Sequence, residues 1–69
     1  MATGRVKWFN DFRGYGLIEC DDGSEDVFVH YTGIAGDGYH RLKEGARVEF
    51  NVTPDPKGPR ANQVALIAD

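Results

Sequence analysis

Turn-forming residues divide this chain of 69 residues into short β-prone runs, and this division limits the folds that it can adopt. The runs are residues 4–10, 14–20, 27–30, 47–52 and 62–68. Polar and apolar residues alternate in the fourth run, as in a strand with one buried face. The last run also permits a terminal helix, which is the less favoured alternative. Short strands separated by turns predict an all-β fold, either a small sandwich or a closed barrel, and closing the sheet removes its exposed edges.

The segments between the runs have the composition of turns and loops. Residues 21–24, with the sequence Asp-Asp-Gly-Ser, form a tight turn because glycine after aspartate accepts a positive φ. Residues 32–46 contain repeated glycines and are interpreted as a long loop with room for one short helical turn. Residues 54–59 hold all three prolines of the chain, which exclude both a helix and a central strand there.

Composition excludes several classes of protein. Hydrophobic residues make up 41% of the chain and charged residues 28%, as in ordinary globular domains. The sequence contains neither an apolar run of about 18 residues nor a signal peptide. The lone Cys20 cannot form an internal disulfide, and with two histidines it does not give the spacing of a zinc site. We therefore expect one cytoplasmic domain over residues 1–69, without a membrane segment, metal or cofactor.

The charges are segregated along the chain. Eight Lys and Arg against 11 Asp and Glu give a net charge of −3, which taken alone argues against nucleic-acid binding. However, five of the carboxylates lie within residues 19–26, whereas residues 1–18 contain Arg5, Lys7 and Arg13 against Asp11 alone. Charges are screened over about 8 Å at physiological ionic strength. The acidic segment is therefore interpreted as a solvated loop that leaves a basic patch intact.

Alternation places several aromatic side chains on the side away from the expected core. In the second run Ile18 and Cys20 share the more apolar face, and in the third run Val27 and Val29 suit a barrel interior. The outward residues of these two runs are then Tyr15, Leu17, Phe28 and His30. The tight turn pairs the two runs as antiparallel strands, which brings these outward residues together on one exterior face.

Further aromatic and basic residues surround this predicted face. Trp8 and Lys7 lie on the neighbouring run, and Tyr31 and Tyr39 flank the face in sequence. Phe50 is expected inside by its alternation with two valines. Alternation does not assign Phe9 and Phe12 to either face. The cations available beside the aromatic residues are Lys7, Arg13, Lys57 and Arg60. Exposed aromatics interleaved with cations favour single-stranded nucleic acid, because its unpaired bases stack and its phosphates attract cations.

Three segments then form a recognisable pattern. They are Lys7-Trp8-Phe9-Asn10, Arg13-Gly14-Tyr15-Gly16-Leu17-Ile18 and Asp26-Val27-Phe28-Val29-His30-Tyr31. This pattern resembles the bacterial cold-shock proteins, and the second and third segments look like the two ribonucleoprotein motifs of that family. Residues 36–39 and 57–61 also match its loops, so that the resemblance covers nearly the whole chain.

The resemblance implies a small five-stranded antiparallel barrel of the oligonucleotide-binding type. Such proteins bind single-stranded RNA and DNA with little sequence selectivity, and act as RNA chaperones or, in some cases, as transcription antiterminators. The stacking residues carried over by position are Trp8, Tyr15, Phe28, His30, Tyr31 and Tyr39. Lys7, Arg13 and Lys57 are expected to meet phosphates or bases, and Arg60 is a further candidate for such a contact. Asn10 and Asp26 either bond base edges or close turns. A monomer is expected.

This chain departs from the family pattern at several positions. Leu17 stands where the family usually has phenylalanine, which removes one stacking platform. Tyrosine replaces the commoner phenylalanine at Tyr15, Tyr31 and Tyr39, which keeps the ring and adds a hydroxyl group. Arg13 replaces the commoner lysine, and its planar guanidinium can stack as well as pair with phosphate.

Two other classes of function compete with nucleic-acid binding. The aromatic face could hold a peptide or an assembly partner, as aromatic-lined grooves do. Cations among the aromatics are not needed for that role, which favours nucleic acid. The sequence offers no nucleophile paired with a base, so that we expect neither an enzyme nor a small-molecule substrate.

Overall fold

The computed structural model describes residues 1–35 and 42–67, which form a closed barrel of five strands. The strands are β1 (Ala2–Asn10), β2 (Tyr15–Cys20), β3 (Val27–His30), β4 (Arg47–Thr53) and β5 (Arg60–Leu66). Their order around the barrel is β1-β2-β3-β5-β4. The predicted five-stranded barrel is confirmed. Among these described residues, no helix is long and apolar enough to cross a membrane.

Two strands begin earlier than the predicted runs, because pairing with a neighbouring strand extends them. β1 begins at Ala2 because its first residues pair with β4, from Ala2 opposite Phe50 to Arg5 opposite Arg47. β5 begins at Arg60, which pairs with Thr53. The last run is therefore a strand, and the helical alternative is wrong. A single 3-10 turn at Tyr31–Gly33 follows β3.

One strand contact corrects the expectation of a fully antiparallel barrel. β3 and β5 run parallel, with Phe28 opposite Arg60, whereas the other neighbouring pairs are antiparallel. The reason is parity, because five strands in a closed ring cannot all alternate in direction. The contact also includes a hydrogen bond of 3.1 Å, which the amide of Phe28 donates to the carbonyl of Pro59.

The core fills the inside of the barrel with the residues that alternation assigned to it. The fully or nearly buried side chains include Val6, Ile18, Cys20, Val27, Val29, Leu42, Val48, Phe50, Ala61 and Val64. Phe50 is the largest of them. The structure also places the two ambiguous aromatics, because Phe9 packs against the core while Phe12 is exposed on the β1–β2 turn.

An irregularity in β1 brings a cation and an aromatic ring to the same side of the barrel. Val6 lies opposite Ile18, but the next residue in register with β2 is Trp8, opposite Leu17. Lys7 is therefore the extra residue of a β-bulge, and both Lys7 and Trp8 are exposed. The bulge explains why strict alternation breaks down in this part of the sequence.

Candidate nucleic-acid interface

Three rings from three adjacent strands lie side by side on the outside of the barrel. The ring centroids of Trp8 and Tyr15 are 5.8 Å apart in an edge-to-face arrangement. The rings of Tyr15 and Phe28 are also 5.8 Å apart, but they are close to parallel, with 27° between their planes. We refer to Trp8, Tyr15 and Phe28 as the aromatic row. Leu17 lies within it, in register with both Trp8 and Phe28.

The rings of the aromatic row are neither core residues nor fully free. Trp8 is 40% exposed and Phe28 is 37% exposed, and Tyr15 is half-buried. Their own strands contribute Ile18, Val27 and other residues to the core. The barrel therefore supports one side of the row and leaves the other open to a flat ligand.

A second aromatic pair continues this face from the end of β3. The rings of His30 and Tyr31 have centroids 4.5 Å apart, and His30 lies opposite Tyr15 in the sheet. The Nδ1 of His30 accepts a hydrogen bond of 3.3 Å from the amide of Thr32 and lies 2.9 Å from the Thr32 hydroxyl. A neutral ring that accepts at Nδ1 carries its proton on Nε2. The Nε2–H is then the ring's available donor.

Tyr31 is held by the turn between β1 and β2. Its amide donates a hydrogen bond of 2.7 Å to the carbonyl of Gly14. A Cβ atom built on Gly14, which has a φ of +77°, would lie only 2.6 Å from Cδ1 of the Tyr31 ring. Tyr31 therefore packs closely against this turn while remaining 42% exposed.

The cations lie at two places along the face. The Nζ of Lys7 donates to Oδ2 of Asp26 at 3.0 Å. Chiefly this hydrogen bond, and then the attraction of the carboxylate charge, raises the pKa of Lys7 above its ordinary value. At the other place, the guanidinium of Arg60 lies 5.8 Å from the centroid of the Phe28 ring, within the range of cation–π attraction.

A cleft of about 300 Å³ adjoins the Phe28 end of the row. It is lined by Phe28, Asp55, Lys57, Gly58 and Arg60. Lys57 and Arg60 are predicted from the sequence as binding residues, whereas Asp55 and Gly58 are not. The prolines and glycine of residues 54–59 predicted a loop here. The position of this loop against Phe28 depends on the parallel pairing of β3 with β5.

The remaining predicted residues have different positions. The side-chain oxygen of Asn10 accepts hydrogen bonds from the amides of Phe12, at 3.0 Å, and Arg13, at 2.9 Å. Of the two roles left open for Asn10, the structure therefore shows the closing of a turn. Asp26 faces Lys7, and the side chain of Arg13 is exposed on the same turn as Phe12. Tyr39 lies outside the described residues.

Comparison with known proteins identifies the family. The model of the 'Cold-shock' DNA-binding domain matches residues 2–67. The chain belongs to the cold-shock domain family. This cold-shock domain is similar to "Cold shock-like protein CspA" of Stigmatella aurantiaca, with 55% identity over 97% of the chain and 98% of that protein. It is also similar to "Cold shock protein CspD" of Bacillus subtilis, with 50% identity over 97% of the chain and 100% of that protein.

A solved structure supports the fold of this cold-shock domain. The structure titled "drosophila Unr CSD456" matches 97% of the chain with a TM-score of 0.78, at 18% sequence identity. The chain spans 26% of that longer protein, and the likeness concerns the fold alone.

The family also fixes the general class of function. Cold-shock domains bind nucleic acid and catalyse no reaction, so that the chain is a nucleic-acid-binding cold-shock protein and not an enzyme. Within residues 1–35 and 42–67, no group of histidine, cysteine and carboxylate side chains could hold a metal ion.

Proposed function

We propose that this cold-shock domain binds single-stranded RNA and DNA by stacking unpaired bases on the aromatic row. The observation that carries the proposal is the row itself: Trp8, Tyr15 and Phe28 lie in contact on one outer face, each with part of its ring open. Every base presents a π-face, and stacking on an aromatic side chain contributes about 1–3 kcal/mol per base. Recognition of this kind has little sequence selectivity.

The cations complete the proposed site. Lys57 and Arg60 border the cleft beside Phe28, where a phosphate could follow a stacked base. Lys7 lies next to Trp8 but shares its ammonium group with Asp26, so that a phosphate there competes with a carboxylate. These contacts attract the backbone of the nucleic acid without reading its sequence.

The proposed mechanism requires no ATP. The row binds unpaired bases and has no access to the faces of paired ones, so that binding draws RNA away from hairpins by mass action. A protein that prevents RNA secondary structure in this way acts as an RNA chaperone, and the same activity at a terminator hairpin gives transcription antitermination. We propose that it acts as a monomer of one domain in the cytoplasm.

The fluorescence of Trp8 provides the test, because Trp8 is the only tryptophan of the chain. We would titrate the protein with a pyrimidine-rich single strand of about seven nucleotides, within the site sizes known for such barrels. The matched duplex is the control. Saturable quenching by the single strand, with little by the duplex, is the expected result. Absence of quenching by both RNA and DNA would overturn the proposal and favour a protein partner on the aromatic face.

A further inference from the structure

Phe12 is an exposed aromatic ring that the proposed site does not yet use. It is 99% exposed, against 40% for Trp8, and is thus the most exposed large apolar residue within the described part of the chain. A phenyl ring with this exposure contributes almost nothing to packing among the residues that the structure describes. At the tip of a turn, the whole ring is available for an external contact.

The backbone around Phe12 is held in place. The side-chain oxygen of Asn10 accepts hydrogen bonds from the amides of both Phe12 and Arg13. The carbonyl oxygen of Asn10 also accepts a bond of 2.7 Å from the amide of Gly14. Three hydrogen bonds therefore converge on one residue at the end of β1. A ring on such a turn loses less conformational entropy on binding than one on a loose loop.

The turn also adjoins the aromatic face. Asn10 lies opposite Tyr15, the middle ring of the aromatic row. On the other side of the turn, the amide of Tyr31 bonds to the carbonyl of Gly14, and the Tyr31 ring packs against that residue. The turn that carries Phe12 is thus fastened to both Tyr15 and Tyr31.

We propose that Phe12 stacks on one further unpaired base, next to the part of the face formed by His30 and Tyr31. This inference rests on the proposed binding of single strands and adds one subsite to it. A single base matches the area of a single ring, whereas a stable protein interface buries about 800 Å² on each partner. An isolated phenyl ring between Asp11 and Arg13 does not offer a patch of that size.

The test is a Phe12→Ala variant measured against single strands of about four to about ten nucleotides. Strands long enough to reach the turn should bind about 5- to 150-fold more weakly than to the unchanged protein, whereas the shortest strands should bind equally. Phe12→Tyr should retain the tighter binding because it keeps the ring. Thermal unfolding should be unchanged in Phe12→Ala, since the side chain is almost fully exposed.

A matched control and an abasic scan sharpen the result. Leu66→Ala shortens another exposed apolar side chain, 54% exposed on β5, and should bind every strand as the unchanged protein does. In the long strand, an abasic nucleotide placed at each position in turn should abolish the difference between Phe12→Ala and the unchanged protein at one position only.

The possible outcomes distinguish a failure of the Phe12 subsite from a failure of the proposed binding of single strands. If the unchanged protein binds long strands and Phe12→Ala binds them equally well, the Phe12 subsite is wrong while the aromatic row stands. If the unchanged protein self-associates in sedimentation and Phe12→Ala does not, the ring contacts a second copy of the chain and the subsite is again wrong. If the unchanged protein binds no single strand, both are overturned.

Discussion

Phe28 and Phe50 show that phenylalanine has two roles in this barrel, one on its outer face and one in its core. Phe28 is 37% exposed in the aromatic row, whereas Phe50 is fully buried inside the barrel. We expect Phe28→Ala to weaken the binding of single strands about 5- to 150-fold, because it removes one stacking platform. It should also lower the free energy of unfolding, by about 1 kcal/mol for the lost aromatic pair with Tyr15 and by a further amount for the covered part of the ring, but by less than the same change at Phe50. Fluorescence titration and urea denaturation measure the two effects.

Phe50→Ala is the matched variant for this comparison. It should lower the free energy of unfolding by about 3–5 kcal/mol, since it leaves a cavity in the core. The fraction that stays folded should bind normally, because Phe50 reaches no part of the outer face. A loss of about 3–5 kcal/mol in unfolding free energy for Phe28→Ala, as large as that for Phe50→Ala, would show instead that Phe28 is a core residue.

A substitution at Leu17 is expected to strengthen the binding of single strands. It lies in register with Trp8 on one side and Phe28 on the other, so that a ring at this position would fill the middle of the face. We expect Leu17→Phe to bind a single strand of about seven nucleotides about tenfold more tightly, within the range for one stacked base. Leu17→Met is the control for added bulk without a ring. Equal gains in both variants would show that apolar contact alone, and not stacking, was missing.

Individual side chains also show where sequence reasoning reached its limit. Alternation predicted that Tyr15 and Phe28 face outward, and the structure confirms this, because the inward positions of β2 and β3 are held by better core residues. The turn role of Asn10 could not be chosen over a base contact, since the side-chain amide is suited to both. The ion pair between Lys7 and Asp26 could not be predicted, because the sequence alone does not show that the two side chains are close in space.

At the scale of elements, local patterns predicted the strands but not their irregularities. Turn residues and alternation placed every strand to within a few residues of its observed ends. The break in alternation near Trp8 was visible, but its interpretation as a bulge depends on the register with β2. A second irregularity lies between β4 and β5, where Gln63 adopts a φ of +52° without being glycine. Nothing local in the sequence indicates that conformation.

The pairing of β1 with β2 depends on a very close approach at Gly16. A Cβ atom built there would lie 2.2 Å from the carbonyl oxygen of Trp8, closer than any real contact. Gly16→Ala must therefore push the two strands apart beside the bulge. We expect a loss of about 3 kcal/mol in unfolding free energy, at the upper end of the usual range for overpacking, because the obstacle is backbone. Chemical denaturation measures it.

Gly23→Asn provides the comparison for Gly16→Ala. Gly23 has a φ of +81° in the β2–β3 connection, with no atom within 4 Å of a built Cβ, and asparagine tolerates this conformation. This variant should lose less than about 1 kcal/mol, well below Gly16→Ala. Similar losses in the two would mean that backbone conformation, and not the approach of β1 to β2, governs both positions.

At the scale of the whole molecule, an acidic protein must bind a polyanion. The net charge is −3, yet part of the acidic segment is engaged away from the aromatic row. Asp21 accepts hydrogen bonds from the hydroxyl of Thr3 and the guanidinium of Arg47, at the far end of β1 from Trp8. Net charge is thus a poor guide to this site, whose affinity is proposed to come mainly from stacking.

The salt dependence of binding follows from the small number of phosphates that the proposed site contacts. If about two or three phosphates meet Lys57, Arg60 and Lys7, the logarithm of affinity should fall with the logarithm of salt concentration with a slope of about −1.4 to −2.1. Titrations of one single strand across a series of salt concentrations measure the slope. A slope of about −5 or steeper would contradict a stacking site and indicate an interface dominated by phosphates.

The parallel closure of the barrel has a consequence for its dynamics. Within the described residues, Phe28 opposite Arg60 is the only pair in register between β3 and β5. Beyond β3 the parallel contact continues only as an isolated bridge between Ile34 and Val64, whereas each antiparallel contact has four to six pairs. Amide hydrogen exchange should therefore be fastest across this seam when the barrel opens locally. If a base lies on Phe28 while a phosphate meets Arg60, the bound strand bridges the same seam. Nucleic acid would then act as an external clasp, slowing exchange at the Phe28 amide and closing the barrel where its own bonds are fewest.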